Sequence, residues 1–295
     1  MATLREVRSR ISGVQKTRKI TRAMKMVAAS KLRRAQSRII AARPYARKMK
    51  ELLGDLAQMA DIQSADLIAP RELKNLALVV VTSDRGFCGA FNANLIRAAQ
   101  AHIAAQPAGV RVTLICVGKK GVDYFGKRGY NLIGRHVGVY GNLAFSWVQS
   151  FAGEIIARYL KGEFDRVDII YNEFKSISSQ RILIEQFLPV PPLPAGLVVP
   201  KQPVEYIVDY IYEPDRLGIL LSILPRHLNF QIWRILLEST TAEEGARMAA
   251  MENATENAGE MIATLQLQYN KARQTAITTE LLEVVSGAEA LRNAG

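Results

Sequence analysis

Two long stretches, one at each end of the chain, repeat small and apolar residues at helical spacing for longer than any single globular core could bury. Near the start, Leu4, Val7, Ile11 and Val14 step by three and four, which is a heptad seam. The apolar residues then return one position out of phase at Ile20, Met24 and Val27, and continue through Leu32, Ala35 and Ile39. That slip predicts a drifting or locally over-wound coiled coil. The pattern runs to about residue 60 and gives a helix about 80 Å long, which Pro44 bends or deprives of one hydrogen bond. From about residue 212 to 291 a second seam appears, with Pro225 marking a break or kink. Leu228, Ile232, Ile235, Ser239, Ala242, Ala246 and Ala249 form its first run. Ala258, Ile262, Leu265, Tyr269, Ala272, Ala276 and Thr279 form a second, after a phase shift. Residues 227–291 as one helix would measure about 97 Å. Alanine at many seam positions lets another helix approach closely. The two stretches are each other's obvious partners, and an antiparallel pair of them makes a rod with little core of its own.

The chain between them has a different rhythm. LALVVVTSD reads as a buried strand, followed by a Gly-containing turn and the helix FNANLIRAAQAHIAAQ. VRVTLICVG is a second strand, GVDYFGKRG a short helix or loop, AFSWVQSFAGEIIARYLKG an amphipathic helix, and VDIIYNEF a third strand. QRILIEQFLPV follows as a hairpin or edge partner. Alternating strands and helices predict an α/β layer with a largely parallel sheet over residues 71–203, inserted between helices at 1–60 and 212–295. PVPPLPAGLVVPKQP holds six of the eleven prolines and reads as a stiff extended connector. No window reaches the roughly 18 uncharged apolar residues that span a membrane, and the N-terminus lacks the apolar core of a secretory signal. Cys88 and Cys116 fall on different elements and read as buried reduced thiols.

Charge singles out the first helix. Of 39 Lys/Arg and 27 Asp/Glu, residues 1–50 hold 16 bases and one acid, Glu6. The remaining 23 bases and 26 acids nearly cancel, so the net +12 is a local device. Within KITRAMKMVAASKLRRAQ, residues 19–36, no acid accompanies Lys19, Arg22, Lys25, Lys31, Arg33 and Arg34, and Met24 and Met26 lie among them. Unpaired like charges at helical spacing repel, which argues for an acidic partner over a merely solvated face.

Catalytic signatures are sparse. There is no P-loop and no Gly-x-Gly fingerprint. SDRGFCGAFN, between strand and helix, stands where a phosphate cradle could form, but a tight turn with Gly86 and Gly89 is the favoured reading. GKKG at 118–121 reads as a basic loop. His102, His136 and His227 are scattered without metal-ligand spacing, and no nucleophile elbow occurs. Cys88 beside Arg85 could be an activated thiol, though a small buried residue at a glycine turn explains it more simply. A nucleic-acid surface on the basic helix and a nucleotide-dependent enzyme on the α/β domain are the alternatives. The basic face lacks stacking aromatics, and the glycine fingerprint is missing.

VRSRISGVQKTRKITRAMKMVAASKLRRAQ, SDRGFCGAFN, YIYEP, LLES, ARMAAMENATENA and YNKARQTAITTELLEVVSGA together resemble the γ subunits of bacterial F-type ATP synthases, across essentially the whole chain. The resemblance implies an α/β fold with a long antiparallel two-helix coiled coil from the terminal helices and an inserted Rossmann-like domain. It implies a non-catalytic rotor shaft without a cofactor, inside three α and three β subunits, with the Rossmann-like domain against the ε subunit and the c ring. Proton flow through the c ring would turn the shaft and drive the β sites in sequence. Membrane association would come only through the complex, at the cytoplasmic face of the inner membrane.

Residue by residue, the resemblance puts Arg22, Met24, Lys25, Lys31, Arg33 and Arg34 opposite an acidic loop of each β subunit. It puts Arg273, Gln274, Thr278 and Glu280 at the α/β catch, and Leu281, Leu282, Val284 and Val285 in a hydrophobic sleeve. Tyr210, Tyr212 and Glu213 would lie in the foot near the c ring. No cysteine-bearing insertion of the chloroplast kind is present, which implies no thiol control.

Overall fold

The computed structural model describes residues 3–57, 66–177, 179–191 and 216–293. Among the described residues, five α-helices and five strands follow in the order α1 (Leu4–Ala57), β1 (Asn75–Val81), α2 (Phe91–Ala104), β2 (Arg111–Val117), α3 (Lys119–Phe125), β3 (Leu132–His136), α4 (Phe145–Leu160), β4 (Arg166–Phe174), β5 (Gln180–Leu188) and α5 (Arg216–Asn293). The expected connector after residue 191, and Tyr210, Tyr212 and Glu213, lie outside the described residues. Two compact units emerge: residues 29–247, and residues 1–28 with 248–295.

In the larger unit one sheet runs β3-β2-β1-β4-β5. β1 pairs in parallel with β2 and β4, β2 with β3, and only β5 is antiparallel, returning beside β4 as a hairpin. β1, NLALVVV, is almost wholly apolar because both its faces are covered. Ala77, Val79 and Val81 face a cluster with Val148, Phe151, Ala152, Ile155 and Tyr159 of α4 and Leu228, Ile232, Ile235 and Leu236 of α5. Leu78 and Val80 face the opposite cluster, with Leu95, Ile96 and Ala99 of α2 and Phe125 of α3. This three-layer arrangement is what period-two alternation of a central strand requires. α1 and α5 also run antiparallel here, with Lys31 Nζ 3.6 Å from Glu244 Oε1 and the Tyr45 and Phe230 rings 4.9 Å apart.

Of the break or kink expected at Pro225, the break is absent, for α5 runs continuously from Arg216 through it. Leu224 and Leu228, on either side of the proline, are 1% and 0% exposed. Burying two leucines contributes about 1.5–3 kcal/mol each, enough to offset the ~3 kcal/mol a helical proline costs. α1 likewise continues through Pro44. β3 has no counterpart in the sequence reading. It is five residues long and holds Gly134, where a Cβ would meet Ile115 Cγ2 at 2.7 Å. The glycine that hides the strand pattern lets β3 lie against β2.

The smaller unit pairs the start of α1 with the second half of α5. Arg18 packs over Gly259, the Thr21 and Thr255 hydroxyls meet at 2.7 Å, and Lys25 forms an ion pair with Glu252. These contacts run in opposite directions along the two helices, so they are antiparallel. They also correct the expected phase slip. Ile20 and Val27 are 60% and 56% exposed, whereas Thr21 and Ala28 are buried in their place. The seam holds its three–four rhythm at Leu4, Val7, Ile11, Val14, Arg18, Thr21, Lys25 and Ala28 by admitting polar residues, whose partners on α5 fix the register. On α5 both expected runs fall on the covered side as far as Ala276, while Thr279 is exposed.

Candidate functional site

The basic stretch of α1 divides between residues already engaged and residues that are free. Lys25 is committed to Glu252 and Lys31 lies near Glu244. Arg22, Arg33 and Arg34 are exposed and make no ion pair among the described residues. Met24 is half-buried, Met26 is 60% exposed, and Ile20 and Val27 add two more apolar side chains to the open surface. Exposed guanidinium groups next to exposed flexible and branched apolar chains make a surface whose charge is unspent, and an ion pair formed at such an exposed site contributes about 0–1 kcal/mol.

Within the larger unit, Lys31, Arg34 and Arg38 form one wall of a cleft of about 390 Å³, with Asp84 and Arg85 of the β1–α2 loop and Glu243 and Glu244 of α5 opposite. Sequence reading passed over the acidic wall and its partner Arg247. Glu243, Glu244 and Arg247 are all 6–7% exposed, and Arg247 pairs with Glu243 and, at 2.9 Å, with Glu244. EEGAR places the acids three and four residues before the arginine, the spacing that joins side chains on one helical face. Burial pushes the Glu243 carboxyl up against the opposing pull of Arg247. Burial first, then Glu243 and Asp84, raises the Tyr140 phenol well above its usual range and keeps it neutral.

The loop SDRGFCGAFN is a turn wired from within. Ser83 donates its amide to Asn92 Oδ1 at 3.0 Å and its hydroxyl to the Arg85 carbonyl at 2.6 Å. Asp84 Oδ1 accepts the amides of Lys119 at 3.0 Å and Gly138 at 3.1 Å, so the carboxylate is spent on tying three loops together. The helical start at GKKG is a close-packing device: a Cβ on Gly118 would fall 2.1 Å from the Thr82 carbonyl, and Gly121 donates its amide to Thr82 Oγ1. Cys88 is buried and its thiol is raised by burial, then by Glu243, which keeps it protonated. Cys116 is pushed up to about 12 by burial. At the loop tip, Phe87 takes a left-handed φ of 62° and is 72% exposed, an aromatic held outward that the sequence did not single out.

The last part of α5 behaves differently again. By the register of the smaller unit, Leu4 falls level with about Arg273, so α5 beyond that point outruns the described part of α1. Arg273, Gln274, Thr278 and Glu280 are exposed, and the Thr278 hydroxyl donates only to the Gln274 carbonyl, at 2.9 Å. Leu281, Leu282, Val284 and Val285 are 58–70% exposed. From Thr255, opposite the basic face, to Gln274 is about 29 Å of helical rise, so basic face and polar-apolar end occupy separate levels.

No helix among the described residues is long and apolar enough to cross a membrane. The family model of ATP synthase matches residues 3–291. The ATP synthase gamma chain of Chlorobaculum parvum is 50% identical over 299 residues, spanning 99% of this chain and 100% of that protein. Among solved structures, a chain of the Tetrahymena thermophila mitochondrial ATP synthase central stalk and c ring is 26% identical, with TM-score 0.61 over 80% of this chain and 99% of that one. A chain of the Euglena gracilis mitochondrial ATP synthase shares the fold at 22% identity, with TM-score 0.68 over 98% of this chain and 94% of its own. With a family model matching nearly the whole chain and a full-length relative at half identity, the chain belongs to the ATP synthase gamma-chain family.

Proposed function

We propose that this chain is the central rotor shaft of an F1Fo ATP synthase, coupling proton flow through a membrane c ring to ATP synthesis and hydrolysis on β subunits, and that it is itself non-catalytic. The observation that carries this reading is the end of α5. An amphiphilic helix whose Leu281, Leu282, Val284 and Val285 stand 58–70% exposed is built to be enclosed by other chains. The polar residues Arg273, Gln274, Thr278 and Glu280 just before it are free to hydrogen-bond a surrounding catch. On this reading the basic face of Arg22, Met24, Lys25, Lys31, Arg33 and Arg34 is where acidic loops of three β subunits would pass in turn. Weak contacts suit a part that must leave each partner.

On this reading residues 1–60 and 212–295 act as the two halves of the shaft and 71–203 as the body. Three α subunits, three β subunits, the ε subunit and the c ring are its partners, with Tyr210, Tyr212 and Glu213 toward the c ring. The protein is then peripheral at the cytoplasmic face of the inner membrane, held there by the complex. Reconstitution tests it: the chain is mixed with separately purified α and β subunits, and ATPase activity and complex mass are followed. One copy per six-membered ring with restored turnover is the expected outcome. A chain that stays apart and binds DNA at low salt would overturn the rotor reading.

A further inference from the structure

Averaging over the chain conceals a second basic region. Residues 84–135 hold eight Lys/Arg against two Asp and no Glu, so the positive excess does not belong to residues 1–50 alone. The fold gathers half of those bases in one place. Between α2 and α3 runs an open groove of about 640 Å³ lined by Arg97 on the α2 side and Lys120, Lys127 and Arg128 on the other, with Asp123 as its one acid. All four cations are exposed. The side chains of Arg97, Lys120 and Lys127 make no ion pair or hydrogen bond among the described residues. Arg128 is pinned: its guanidinium lies 3.8 Å over the Tyr124 ring and donates to the Tyr124 carbonyl at 3.0 Å. One oriented guanidinium and three unspent cations around an open trough face a single acid, Asp123, and leave the groove with a net positive charge.

We propose that the α2–α3 groove docks an acidic peptide segment of a partner protein. The cations are spread along the trough, with Lys120 and Lys127 seven residues apart across α3 and the following turn. A string of carboxylates matches such a row, whereas a single phosphate is held by donors converging on one point. A bilayer or a duplex presents a convex or flat surface that does not enter a groove between two helices. This site is separate from the shaft surface and does not depend on the rotor reading.

The test uses the full chain and a labelled oligoglutamate peptide carrying a photoreactive group. Fluorescence anisotropy gives the affinity, and mass spectrometry locates the cross-links. Because the basic face of α1 also attracts the probe, the variant Arg97→Gln/Lys127→Gln is compared with Arg33→Gln/Arg34→Gln. The expected result is cross-links within residues 92–128, with binding there weakened about three- to tenfold by the first variant and unchanged by the second. Cross-links confined to α1, or an affinity indifferent to Arg97→Gln/Lys127→Gln, would overturn the proposal. So would tripolyphosphate binding this groove more tightly than the peptide, or phosphatidylglycerol vesicles engaging these four cations when the peptide does not.

Discussion

Arg247 shows how one side chain can hold a neighbourhood of charge in balance. It lies between two carboxylates, all three groups nearly sealed from water, and it also reaches the Gly86 carbonyl at 3.4 Å. Arg247→Ala leaves Glu243 and Glu244 buried without the guanidinium that directly pairs both, and should cost about 3–5 kcal/mol in urea-induced unfolding. Glu243→Gln should cost far less, since burial already disfavours the Glu243 charge. Met24 carries the opposite expectation, for it is half-buried on the basic face and its replacement need not disturb the fold. Met24→Lys sets a fixed charge where the rotor reading has acidic loops passing. It should tighten that contact and lower the protons pumped per ATP in membrane vesicles; an unchanged ratio would remove Met24 from the contact surface.

At the scale of an element, α5 has an electrostatic condition for docking on the sheet. His227, one residue from the fully buried Leu228, is lowered to about 4 by burial and then by the charge of Arg234. The folded chain therefore binds this proton less readily than the unfolded chain, whose imidazole titrates near 6.5. Between those values the unfolded state holds more protons, so stability is present above pH 6.5 and is lost as pH falls toward 4. The loss is roughly 3 kcal/mol at most, and it should flatten in a His227→Gln variant followed by denaturant titration across that range. The Arg234 charge itself is held in a network with Tyr171, Glu185 and Glu238.

The whole molecule separates duties by level. The larger unit has a sheet with covered faces, whereas the smaller unit has one seam, part of it polar. Stability resides in the former, and the end of α5 beyond Ala276 contributes contacts to neither. Replacing Gln274 and Thr278 together with Ala should consequently leave the unfolding midpoint unchanged. In a reconstituted complex the same double variant should slow ATP turnover, because those side chains are free only for an outside partner. An unaltered rate would exclude them from the catch.

Sequence alone determined the two terminal helices, α2, α4, four of the five strands, the parallel character of the sheet and the basic bias of α1, because each is written in spacing or composition over many residues. Tertiary structure decided which side of α1 is covered. Ile20 and Val27 look like seam residues by hydrophobicity, yet the ladder of Arg18, Thr21 and Lys25 against Gly259, Thr255 and Glu252 turns them outward. A polar residue reads as surface until its partner, more than two hundred positions away, is known. Likewise, the cations of α2 and α3 share one groove only once the sheet has brought the two helices side by side. Proline 225 makes the converse point: its local penalty is legible in the sequence, while the buried leucines that outweigh it become visible only once α5 lies on the sheet.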